Sequence, residues 1–179
     1  MGGILILFAL VVSTLLWADL TNNFVWVALG VTVSYGLIGF LDDYRKVTRR
    51  DSAGLPGRLK LLLQIVIAVA AGLWIMDLLP APLRTNLALP FFKAVLLDLG
   101  WLFLALAALV MVGASNAVNL TDGLDGLAIV PVMIATGVFA LISYLVGNAV
   151  FSVYLQLHYV PGSSELAVFC GSLVGGGLG

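Results

Sequence analysis

FVWVALGVTVSYGLIGFLDDYRKVTRR, residues 24–50, is the stretch whose reading decides the class of fold. From Phe24 to Leu41 it carries no charge; then Asp42 and Asp43 stand side by side, followed by Arg45, Lys46, Arg49 and Arg50. An uncharged run of this length approaches the roughly 20 apolar residues a helix needs to cross the hydrocarbon core of a bilayer. The abrupt change to charge marks where water begins. The stretch therefore reads as a membrane span that ends in an acidic pair and a basic loop.

The rest of the chain agrees. Of 179 residues, 62% are hydrophobic and 9% charged, and the mean hydropathy is +1.16. Soluble domains carry about 25% charged residues, so this composition does not clothe a surface in water. The net charge of −1 says nothing useful about partners, and the placement of the charges says more; no nucleic-acid partner is expected. The single Cys170 excludes an intrachain disulfide and a thiolate metal cluster, and it reads as a small apolar residue in a helix. The opening Met1-Gly2-Gly3 lacks a basic n-region and a cleavage site, so the following run reads as a span and not as a signal peptide.

Spans are predicted over Ile4–Ala18, Phe24–Leu41, Leu61–Leu79, Val95–Ala114 and Leu127–Gly147, with a sixth starting near Leu166 and reaching the last residue. The predicted fold is all-α: a polytopic membrane helix bundle of five full transmembrane helices and a truncated sixth. Between the second and third spans lie Arg45, Lys46, Arg49, Arg50, Arg58 and Lys60, six of the eight basic residues. The positive-inside rule makes that loop cytoplasmic. Alternation then places 115–126 on the same side, and the turns at 19–23, 80–93 and 148–164 outside. Trp17, Trp26, Trp74 and Trp101 fall near outer span ends, as an aromatic belt would.

This alternation brings two acidic clusters, Asp42-Asp43 and Asp122 with Asp125, to one face of the membrane. Adjacent carboxylates at a helix C-terminus repel each other and the helix dipole. A divalent cation relieves that repulsion, and Mg²⁺ typically binds one or two carboxylates together with substrate phosphates. The neighbouring basic residues offer charge to those phosphates. A bland reading stands beside this one: the aspartates pair with the arginines of a positive-inside loop. In NAVNLTDGLDGLA, residues 116–128, Asp122 and Asp125 share a face of a helical turn, Gly123 and Gly126 allow close approach of backbone, and Asn119 and Thr121 suit a base or a sugar. Helix capping by either aspartate is the alternative there. His158, Asp19, Asp77, Asp98 and Glu165 read as solvated groups at outer edges.

GFLDDYRKVTRRDSAGL (39–55) and NAVNLTDGLDGLA (116–128), with PFFK at 90–93 and the opening MGGI, resemble the phospho-N-acetylmuramoyl-pentapeptide-transferase family within the polyprenyl-phosphate N-acetylhexosamine-1-phosphate transferases. The resemblance covers essentially the whole chain. It implies transfer of phospho-MurNAc-pentapeptide from UDP-MurNAc-pentapeptide to undecaprenyl phosphate, giving lipid I and UMP in peptidoglycan synthesis, with Mg²⁺ as cofactor. Asp42 and Asp43 match the family's catalytic pair, and with Asp122 they are the candidate metal ligands. Lys46, Arg50 and Arg58 match phosphate-facing positions. Asn119, Asp122, Gly123, Leu124 and Asp125 match the segment around nucleoside and metal.

A multi-pass protein of the bacterial inner membrane follows, with its site facing the cytoplasm, and with a homodimer as one compatible assembly. Against the family pattern the chain lacks a first span, a third aspartate in Gly-Asp-x-Gly-Ser and a histidine-rich loop. It is therefore expected to be one partial transmembrane domain, residues 1–179, with cytoplasmic loops at about 42–60 and 115–126, and to be inactive alone. A UDP-GlcNAc-using sister transferase and a non-catalytic assembly or transport protein are the competing readings. Transport calls for acidic residues in mid-span, whereas these lie at span ends.

Overall fold

The computed structural model describes residues 2–49, 54–89, 95–121 and 127–179. Their elements, in chain order, are α1 (Gly2–Trp17), α2 (Asn23–Arg49), α3 (Gly57–Leu78), β1 (Asn86–Ala88), β2 (Leu96–Asp98), α4 (Leu102–Thr121), α5 (Ile129–Gly147), α6 (Ala149–Leu155) and α7 (Leu166–Leu178), with single 3-10 turns at Ala81–Leu83 and Ser163–Glu165. The bundle is helical, as its apolar runs require. Four helices, α2 to α5, are long and apolar enough to cross a membrane, while α1 and α7 are shorter. Most large apolar side chains on the helix surfaces are exposed, which suits lipid rather than water as their surroundings.

Start and stop signals are local. Asn22 Oδ1 accepts the Phe24 N–H at 2.9 Å and so caps α2. Asn148 does the same for α6 through Val150 and Phe151, and Gln156, left-handed at φ 57°, ends that helix after two turns. The loops at this end are also tied across the bundle. Asn22 Nδ2 donates to the Gly162 carbonyl at 2.7 Å, and the Asp19 N–H donates to Glu165 Oε2 at 3.0 Å.

Several predicted boundaries move. The fourth span, expected from Val95, begins at Leu102, because Leu96–Asp98 pairs antiparallel with Asn86–Ala88 as a short hairpin. Gly100 at φ 50° breaks the chain between strand and helix, and its N–H bonds Asp98 Oδ1 at 2.9 Å. Helix also replaces expected loop: α2 runs on to Arg49, α3 starts at Gly57 and α4 reaches Thr121.

The helices associate in two groups. One gathers around α7, which contacts α5, α1 and α2; the other is α3 against α4. Their main connection is α2 on α3. Leu10, Val25 and Leu29 form the core of the first group, with Phe169 and Leu173 of α7 against them. In the second, Gly72 lets α4 come close, since a methyl there would stand 3.0 Å from Leu104 Cδ2.

Candidate functional site at the charged helix ends

At about 1.5 Å per residue, the 27 residues of α2 span roughly 40 Å, more than a hydrocarbon core of about 30 Å. Its apolar part ends at Leu41, and Asp42 opens the overhang beyond the membrane-spanning portion. Asp42 is nevertheless only 8% exposed. One of its oxygens, Oδ1, accepts the Leu55 N–H at 2.7 Å. The other accepts from Lys46 Nζ at 2.8 Å and lies 3.7 Å from Lys60 Nζ, which comes from α3. One carboxylate thus ties the end of α2 to the start of α3. Gly54 makes this possible: it sits at φ 50°, and a β-carbon there would collide with Asp42 Oδ1 and stand 2.8 Å from Lys46 Cε.

Lys46's hydrogen bond, above all, holds the Asp42 carboxyl below its usual 3.8; partial burial opposes this, while the Leu55 N–H and the charges of Lys46 and Lys60 add to the lowering. Lys46 is raised in return, chiefly by the same bond. Asp43 is placed differently. Its side chain is 78% exposed, and its contact with Lys46 Nζ is a loose 3.6 Å. Of the two adjacent aspartates, Asp42 is built into the structure and Asp43 is available.

A second polar group meets this one from α4. Lys60, Gln64 and Tyr35 share a cavity of about 220 Å³ with Ser115, Asn116 and Asn119. Asn119, exposed near the end of α4, therefore stands at the same end of the bundle as Asp42, linked to it through the Lys60 wall. Arg58 is exposed in the first turn of α3. Arg50, Asp122, Gly123, Leu124 and Asp125 lie outside the described residues. No three acidic, histidine or cysteine side chains gather among the described residues. The carboxylates placed there among the described residues are those of Asp42 and Asp43.

Sequence reading passed over two members of this site. Lys60 counted only as one more positive charge in a loop, yet it reaches both Asp42 and the cavity. Gln64 was not singled out, although a lone amide in the apolar run 61–79 is a costly residue that needs a partner. That cost was the available signal.

Comparison with known proteins gives this arrangement a context. Over all 179 residues the chain is 60% identical to a phospho-N-acetylmuramoyl-pentapeptide-transferase of Granulibacter bethesdensis, and it spans 49% of that protein's length. The profile of Glycosyl transferase family 4 matches residues 25–179, from α2 through the site to the last helix. The chain belongs to Glycosyl transferase family 4.

Proposed function

We propose that the chain carries part of a membrane transferase that moves phospho-MurNAc-pentapeptide from its UDP carrier to undecaprenyl phosphate. In that reaction an oxygen of the lipid phosphate forms a bond to the sugar-linked phosphorus. The bond from that phosphorus to the bridging oxygen breaks, and UMP leaves with the electron pair. The lipid diphosphate sugar, lipid I, remains in the membrane. The observation that carries this reading is the meeting of Asp42, Asp43, Lys46 and Lys60 with the Asn119 end of α4 at one end of the spans, in a chain so similar to a transferase of that name.

Phosphoryl transfer depends chiefly on position and charge stabilisation, and the residues supply both. Lys46 and Lys60 offer cationic groups to phosphates, with Arg58 exposed beside them. Asp42 holds the two lysines and the loop at Leu55 in register. The donor set suits Mg²⁺: Asp43 presents an exposed carboxylate, whereas an ion on Asp42 would share its oxygens with Lys46 and Lys60. When bound, Mg²⁺ would offset the negative charge gathering on the phosphates. The overhang of α2 beyond a core of about 30 Å supports a site near the lipid headgroups, within reach of the acceptor's phosphate. The basic residues beyond Leu41 support a cytoplasmic orientation for this end.

The test uses the full-length enzyme in membranes with undecaprenyl phosphate and Mg²⁺, and measures UMP release. UDP-MurNAc-pentapeptide is expected to be turned over. Turnover of UDP-GlcNAc alone would instead identify the sister transferase.

A further inference from the structure

Gln64 is 3% exposed and belongs to a chain of hydrogen bonds across three helices. Tyr35 Oη of α2 donates to the main-chain oxygen of Gln64 at 3.0 Å. The Gln64 side chain turns to α4: Oε1 accepts from Asn116 Nδ2 at 2.8 Å, and Nε2 donates to Ser115 Oγ at 3.5 Å. Asn116 Nδ2 also donates to the Val112 carbonyl at 2.8 Å.

A carboxamide has two N–H donors and one acceptor oxygen. Both donors of Asn116 are therefore committed, one along its own helix and one to Gln64. Among the described residues no protein donor reaches its oxygen. Asn116 lines the 220 Å³ cavity together with Lys60 and Asn119. Without an acceptor at position 64, the amide gains freedom to turn and present N–H to the cavity in place of oxygen.

We propose that Gln64 is a positioning residue that locks the Asn116 carboxamide with its oxygen turned to the cavity, so that this wall accepts a hydrogen bond beside the Lys60 ammonium. The pairing of an acceptor with a cation selects a ligand that carries an N–H or O–H donor next to an anionic group. A sugar or nucleoside phosphate has that pattern. The inference rests on the transferase reading and names the residue that orients one contact within it.

The test compares Gln64→Met, Gln64→Glu and Leu104→Ala in the full-length enzyme, with KM for the sugar nucleotide and kcat measured separately. Gln64→Met is expected to raise KM about tenfold, the scale of one misoriented hydrogen bond, with kcat within about twofold. Gln64→Glu keeps an acceptor oxygen at the same reach and should restore KM to within about threefold of the unaltered enzyme. Leu104→Ala loosens the packing of α4 on α3 at Gly72, away from the cavity lining, so it should lower thermal stability and leave KM in place. An unmoved KM in Gln64→Met overturns the inference, as does an equal rise in Leu104→Ala, which would signal general loosening. The comparison of Gln64→Met with Leu104→Ala decides the matter even where a buried glutamate prevents folding. Unaltered enzyme that turns over neither sugar nucleotide removes the transferase reading as well; turnover with an unmoved KM in Gln64→Met removes this inference alone.

Discussion

Asp42 and Asp43 are neighbours in sequence with opposite environments, and the difference sets what each substitution should do. Asp42→Asn keeps the shape but weakens the hold on Lys46 and Lys60, so UMP release by the full-length enzyme is expected to fall at least about a hundredfold. Near-normal release would remove Asp42 from the reaction. The same carboxylate gives a pH signature. Its folded pKa lies below the usual 3.8, so its stabilising effect is fully present above about pH 5 and is lost as pH falls through the folded value. The difference in thermal stability between the unaltered enzyme and Asp42→Asn should therefore stay constant from about pH 5 to pH 9 and shrink only in stronger acid. Gly54→Ala should cost about 1–2 kcal/mol from the left-handed backbone alone, before any clash with Asp42, and thermal unfolding checks it. The acidic pair was legible because two charges interrupt an apolar run. The division of labour between them was not, since it depends on a loop that returns Leu55 to Asp42.

At the scale of elements, hydrophobic runs located the helices well and their ends poorly. Val95 to Leu99 is apolar enough to begin a span, and a run that short reads equally as strand or helix. The structure resolves it as strand because Asn86–Ala88 lies opposite and Asp98 bonds both Thr85 Oγ1 and the Gly100 N–H. Asp98→Ala should therefore speed hydrogen exchange at Gly100 and Leu99 while leaving α4 protected. Loss of protection throughout α4 would show that the hairpin supports the helix. The inner ends shifted for a related reason. Helices tolerate charge once past the lipid, so hydropathy stops at Leu41 where hydrogen bonding continues to Arg49.

For the whole molecule, charge asymmetry predicts which face is which. With Cys170 replaced by alanine, a cysteine at Val47 should react with a membrane-impermeant thiol reagent only after the membrane is opened, and one at His158 should react in intact cells. The reverse pattern would invert the topology. Alternation of spans already suggested that the Asp42 end and the Asn119 end share a side, and the cavity they border through Lys60 shows them meeting. What alternation does not contain is which helices touch. Such partners depend on small residues such as Gly72 and on single polar side chains such as Gln64, whose meaning appears only when α4 is laid against α3.

The gathering of α1, α2 and α5 about α7 also has a history in time. Leu10, Val25 and Leu29 leave the ribosome long before Phe169 and Leu173, which cover them. At synthesis rates of about 5–20 residues per second, the first two helices wait on the order of ten seconds in the membrane with lipid in place of their partner. The α3–α4 pair needs no such wait, because its halves follow one another directly. The nascent chain is thus expected to join α4 to α3 before α7 closes over Leu10, Val25 and Leu29.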